Sequence, residues 1–152
     1  CGQKGVDACR GLLDAGLTPV IKHMPGHGRA EEDSHFHLPV VKAKESDLIN
    51  DMMAFKKVVH SGLDVSGMTA HVLYECWDRD YPATLSKKII EEVIRGEIGF
   101  KGLLFSDDLL MKALDSYGDI IARVHMALEA GCDIAVPCHT SYHEAKAILE
   151  SL

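Results

Sequence analysis

A chain of 152 residues can bury one ordinary core, so a single domain is the default expectation. With 47% apolar and 26% charged residues it reads as globular, and no apolar run approaches the roughly 20 residues that cross a bilayer. The formal charge of −7, with Lys and Arg spread along the chain, argues against nucleic acid or an anionic membrane as partner.

Residue 1 is Cys rather than Met, so the natural start is expected to lie upstream and the lack of a signal peptide carries no weight. A mature lipoprotein also begins with Cys, but the helical pattern that follows at once argues against that reading. The first candidate strand spans about 18–23, and a long loop from Pro25 to Pro39 follows. Apolar Leu48, Ile49, Met52, Met53, Phe55, Val58 and Val59 then predict a helix over Asp47–His60, because their spacing falls on one face. Met52 and Met53 are expected to fill core, and His60 to lie on the helix surface. A second strand is expected over 63–70, and after it Tyr74 and Trp77 are expected to cover a rim rather than stack on a ligand. Ser86 is a plausible N-cap for a helix through Ile89, Ile90, Val93 and Ile94. Strands at 102–106 and 133–137 follow, separated by a helical stretch with His125 on its surface. Ser141 with Glu144 matches a capping box that opens the last helix.

One junction recurs. Gly16, Gly62, Gly99 and Gly131 each end a helical stretch and precede an apolar residue, at spacings of 46, 37 and 32 residues. Glycine accepts the left-handed conformation just past a helix, and these spacings are the lengths of β–loop–α units. The fold class is therefore α/β with a parallel sheet, either open and doubly wound or part of a barrel. A closed (β/α)₈ barrel needs about 200–250 residues. Four units fill about half of one.

The five cysteines (Cys1, Cys9, Cys76, Cys132 and Cys138) form no CxxC pair and have no zinc-ligand spacing. An odd count without a framework suggests reduced thiols and a cytoplasmic protein.

Polar residues collect where each strand ends: Lys22-His23, Thr69-Ala70-His71, Ser106-Asp107-Asp108 and Pro137-Cys138-His139. Barrels and open α/β sheets place active sites at that end, where successive loops converge. In the long loop, Asp33 and His35 stand two residues apart. In an extended segment they would point the same way, and the carboxylate could hold one imidazole nitrogen and set its tautomer. Of Asp107 and Asp108, at most one is expected to face the axis, while the other can cap the following turn.

Three stretches carry a resemblance: Lys22-His23-Met24-Pro25-Gly26-His27-Gly28; Asp33-Ser34-His35 with Leu38-Pro39; and Phe105-Ser106-Asp107-Asp108-Leu109-x-Met111. Together they resemble family 3 glycoside hydrolases, in the bacterial β-N-acetylglucosaminidase branch that serves cell-wall recycling. The similarity runs through essentially the whole chain, including Ala70-His71-Val72 and Ala130-Gly131-Cys132-Asp133. It implies the second half of a (β/α)₈ barrel, residues 1–152, without the first half. It also implies a retaining hydrolase that removes terminal β-linked N-acetylglucosamine from muropeptides. Asp107 matches the nucleophile, His35 the acid/base and Asp33 its orienting carboxylate, while Lys22 and His23 match residues that bind sugar hydroxyls. Asp108 is left out of catalysis, as a cap or loop support. No cofactor or metal is expected, and the full-length protein is expected to be a monomer.

Met24 stands where the family often has Phe, and Thr69 where it often has Pro. The missing half would supply further sugar contacts, so the isolated segment is expected to be inactive or poorly folded. Two other readings use the same residues. A metal-dependent hydrolase could draw on His23, His27, Asp33, His35, His37 and His71, although Pro25-Gly26 prevents His23 and His27 from sharing a helical face as HExxH requires. A noncatalytic sugar-binding remnant is the other.

Overall fold

The computed structural model describes all residues, Cys1–Leu152. In chain order its elements are α1 (Gly2–Asp14), β1 (Val20–Met24), β2 (Val40–Val41), α2 (Glu45–Asp51), α3 (Met53–Val59), β3 (Ser66–Thr69) and β4 (Leu73–Tyr74). A π-helix (Ile89–Glu97), β5 (Leu104–Asp108), a 3₁₀ helix (Lys112–Tyr117), α4 (Ile120–Ala130), β6 (Ile134–Val136) and α5 (Tyr142–Ser151) complete it.

The four predicted strands form one parallel sheet in the order β1-β3-β5-β6. That order never reverses. An open doubly wound sheet has a switch point where strand order turns back, whereas a barrel advances one strand per unit, so the architecture is a partial (β/α) barrel. Gly16, Gly62, Gly99 and Gly131 all take positive φ, from 74 to 113°, as their predicted positions past helix ends require.

Packing fixes the layers. Ile89, Ile90, Val93 and Ile94 are buried together with Leu104, Leu109 and Phe100. Gly67 in the middle of β3 lets Met24 and Phe100 close over the sheet: a Cβ there would lie 2.1 Å from Met24 Cε and 2.9 Å from Phe100 Cζ. At the amino ends of β5 and β6, Arg95 donates to the Gly102 carbonyl at 2.7 Å and to Asp133 Oδ2 at 2.7 Å. The same Asp133 oxygen accepts the Leu104 N–H at 2.8 Å. This charged clamp sits at the end of the sheet opposite the strand-end polar residues, where barrel residues serve stability.

Several expectations need correction. The helix predicted over Asp47–His60 begins at Glu45 and has an irregular joint at Met52, although the bonds Met52 N→Leu48 O and Lys56 N→Met52 O bridge it at 3.0 Å. Met52 is buried, but Met53 is 57% exposed, because the joint turns it away from the core. Ser86 does cap its helix, accepting the Ile89 N–H at 3.1 Å, but the winding that follows is π-type, with Ile98 N reaching Val93 O at 2.8 Å. The extra pair β2–β4 is parallel and two residues long, too short to show as a periodicity. Ser141 and Glu144 form the predicted capping box. All five thiols are unpaired, and no helix is long and apolar enough to cross a membrane.

Candidate active site

The long loop after β1 is pinned at both ends. Tyr74 Oη donates to the Gly26 carbonyl at 2.6 Å, and Leu73 N donates to the Pro39 carbonyl at 2.9 Å beside the β2–β4 pair. Tyr74 and Trp77 are both buried, with Trp77 Nε1 donating to Glu45 at 3.1 Å; they build the rim, as expected. Between the pins the loop is exposed. Its middle is a turn rather than an extended segment: Phe36 N and His37 N both donate to the Asp33 carbonyl, at 2.9 and 3.0 Å. Asp33 Oδ1 accepts the His35 backbone N–H at 2.9 Å and faces His35 Nδ1 at 2.7 Å. The predicted pair therefore meets, but through an Asx turn, which Asp favours because its carboxylate reaches amides two residues on. Those bonds, the backbone one first, hold the Asp33 carboxyl below its ordinary value. A carboxylate can only accept, so Nδ1 carries a proton and Nε2 is left open to solvent.

Ser34, between them, turns inward and is buried. Its Oγ lies 3.3 Å from His27 Nε2, and the His27 ring meets the His23 ring edge-on at 5.9 Å between centroids. His23 Nε2 in turn lies 3.5 Å from Asp107 Oδ2. Burial lowers the His23 pKa, more than the Asp107 charge raises it, so the ring is neutral at pH 7 and the contact is dipolar rather than a salt bridge. Lys22 is exposed and forms no ion pair.

The two aspartates at the end of β5 divide their work. Asp107 Oδ1 accepts the Asp108 N–H at 2.9 Å, leaving Oδ2 toward His23. Asp108 Oδ1 accepts Leu110 N at 3.1 Å and Cys138 N at 3.0 Å, so Asp108 braces the loops after β5 and β6, as expected. Beneath them Arg123, buried on α4, donates to the carbonyls of Gly118 and Leu109 at 2.9 and 3.1 Å and to Asp115 at 3.2 Å.

The strand-end residues do not all face the rim. His71 is fully buried, and Ser106 Oγ accepts Val136 N at 2.8 Å in the gap between β5 and β6. His139 is exposed. His35 and Asp107 make no direct contact, but their segments meet next door, where Lys112 Nζ stands 5.8 Å from the Phe36 ring centroid. No three His, Cys, Asp or Glu side chains converge as a metal site. Two contributors lie outside the sequence-based expectations: Ser34 was hinted at by its place in the Asp-Ser-His triplet, but Arg123 carried no local signal.

A strand-end carboxylate, a neutral histidine and an Asp-held imidazole thus share one rim of a partial (β/α) barrel, at the strand ends where such barrels place their active sites. The chain belongs to glycosyl hydrolase family 3: the sequence model of the "Glycosyl hydrolase family 3 N terminal domain" matches residues 2–152. It is 40% identical over 142 residues to a beta-hexosaminidase of Thioalkalivibrio sulfidiphilus, covering 93% of this chain and 40% of that protein. It also resembles the solved glycoside hydrolase family 3 beta-N-acetylglucosaminidase of Paenibacillus sp. str. FPU-7, with TM-score 0.88 and 38% identity over 97% of this chain and 28% of that one. NagZ of Neisseria gonorrhoeae, solved with N-trifluoroacetyl-D-glucosamine, gives TM-score 0.77 and 36% identity over 93% of this chain and 40% of that one. The chain thus spans about 40% of the length of the curated relatives it matches.

Proposed function

We propose that this chain is the second half of a (β/α)₈ barrel whose full-length form is a retaining β-N-acetylhexosaminidase. Terminal β-linked N-acetylglucosamine, carried on a muropeptide, is the proposed substrate. The carrying observation is the rim itself: Asp107 Oδ2 stands free beside neutral His23 at 3.5 Å, and the neighbouring loop holds His35 by Asp33 at 2.7 Å.

In this reading, Asp107 Oδ2 attacks the anomeric carbon as the glycosidic C–O bond breaks, and protonated His35 gives the leaving oxygen its proton. Neutral His35 then takes a proton from water, whose oxygen displaces Asp107 and frees the sugar. Most retaining glycosidases use two carboxylates. An Asp-oriented imidazole can shuttle the proton instead, and it avoids a second fixed negative charge beside the nucleophile. His35 is exposed on its loop and reaches the sugar only when that loop swings inward. Lys22 and His23 bind sugar hydroxyls.

The half-barrel boundary has support of its own. A groove of about 520 Å³ between α4, β6 and α5 is lined by Leu128, Ile134, Ala135, Pro137, Ile148 and Leu149, and Leu103, Leu149 and Leu152 are exposed. Further barrel units would cover such apolar surface.

The test is covalent trapping in the complete barrel. A fluorinated N-acetylglucosaminyl fluoride should leave a sugar adduct on the peptide that contains Asp107, and none in Asp107→Ala. Sugar binding at normal affinity with neither adduct nor turnover would instead establish a noncatalytic remnant.

A further inference from the structure

We infer that His71, buried from solvent beneath the rim, is a positioning residue that holds the backbone behind Asp107 through the Asp108 carbonyl. The inference rests on the proposed role of Asp107.

His71 lies in the turn between β3 and β4 and is fully buried. Both ring nitrogens are engaged: Nε2 with the Asp108 carbonyl at 2.9 Å and Nδ1 with Thr84 Oγ1 at 2.8 Å. Thr84 Oγ1 also faces Thr69 Oγ1 at 2.8 Å and the Ala70 carbonyl at 3.1 Å. The protons can be assigned. A carbonyl only accepts, so Nε2 must donate. Burial favours the neutral ring, so Nδ1 accepts the Thr84 hydroxyl proton, and Thr84 Oγ1 accepts from Thr69. The same Thr84 hydroxyl can also donate to the Ala70 carbonyl, the longer of its two acceptor contacts. The result is a directed relay from the end of β3 to the end of β5, with its final donor aimed at residue 108.

Residue 108 is held on all sides. His71 fixes its carbonyl, while its carboxylate accepts the amides of Leu110 and Cys138. Its own N–H is thereby aimed at Asp107 Oδ1. That bond fixes the Asp107 carboxylate and leaves Oδ2 as the oxygen that faces His23. A histidine retained only for packing would not need its Nε2 on the one carbonyl adjoining the Asp107 side-chain anchor. Reacting groups tolerate little misplacement; errors near 1 Å can cost about a hundredfold in rate.

Two amide variants separate the ring nitrogens. His71→Gln places an NH₂ near the Nε2 position and keeps the bond to Asp108; His71→Asn mimics Nδ1 and keeps only the bond to Thr84. In the complete barrel, the Asn variant should lower kcat on an aryl N-acetylglucosaminide at least about tenfold with little change in KM. The Gln variant should stay within about threefold of wild type, although both lose thermal stability. Amide exchange at Leu110 and Cys138 should quicken in Asn and remain slow in Gln. Equal kcat losses in the two variants, or an Asn variant as active as wild type, overturns the inference. A wild type that hydrolyses no N-acetylhexosaminide refutes the proposed function instead, and the exchange rates still judge His71. If neither variant folds, nitrogen NMR of wild type decides: a neutral ring protonated at Nε2 and coupled to the Asp108 carbonyl is expected, and an Nδ1–H tautomer overturns it.

Discussion

Lys112 stands over the ring of Phe36 at 5.8 Å, joining the loop that carries His35 to the segment that follows Asp107. Two stretches far apart in sequence thus share one rim. Cation–π contacts at exposed sites contribute only about 0.5–1 kcal/mol, so this one can release when the loop moves.

The two proposed chemical roles separate kinetically. In the complete barrel, Asp107→Ala should lower kcat on the order of a thousandfold or more for every substrate. His35→Ala should slow alkyl glycosides by about a hundredfold or more, because a poor leaving group needs a proton, yet barely affect a nitrophenyl glycoside. Leaving-group dependence checks this, and equal losses on both substrates would falsify the acid/base role of His35.

Ser34 tethers the same loop through His27 at 3.3 Å. A neutral hydrogen bond contributes about 1 kcal/mol net, so Ser34→Ala should change kcat by about fivefold while leaving the melting temperature of the complete barrel nearly unchanged. An unaltered kcat would mark the contact as idle.

Arg95 and Asp133 tie the amino ends of β5 and β6 together. Asp133→Ala leaves the Leu104 amide and the guanidinium short of an acceptor, and should destabilise by about 1–3 kcal/mol with kcat unchanged. Denaturant midpoints measure this. A loss of activity in the still-folded variant would contradict the division between a stabilising end and a chemical end.

Acidification should weaken the fold. Burial lowers the pKa of both His23 and His71 below the ordinary 6.5, so the unfolded chain takes up these protons before the folded one does. The stability they contribute is complete above 6.5 and is lost as pH falls below it. His71 faces Asp107, Asp108 and Arg123, whereas His23 faces Asp107, Lys22, His27 and His71. The stability contributed by Asp33 and Glu144, held below ordinary carboxyl values, is complete at neutral pH and is lost only in more acidic solution. Melting temperatures of the complete barrel should fall between about pH 7 and about pH 5, with a shallower slope in His71→Gln. Parallel slopes would argue against the buried neutral ring.

The 152-residue segment alone exposes Leu103, Ile134, Leu149 and Leu152, and its sheet has free edges at β1 and β6. Expressed alone it should self-associate and bind a hydrophobic dye, because unpaired edges and apolar patches seek partners. A sharp cooperative melt from a monodisperse monomer would contradict the half-barrel assignment.

Local rules made much of this molecule legible from its residues alone. The glycine junctions, the capping box at Ser141 and the four short apolar strands follow from conformational preference and periodicity, which neighbours within a few residues decide. The Asp33–His35 pairing was readable for the same reason, although its turn geometry was not. What needed the tertiary structure were contacts that span the chain. Strand order separated a barrel from an open sheet, because pairing partners lie tens of residues apart. His71 read as one more strand-end imidazole until its burial put Asp108, 37 residues away, on its Nε2. Arg123 and Thr84 gave no sign of their roles, because a single polar side chain acquires one only when folding removes water and leaves it particular partners.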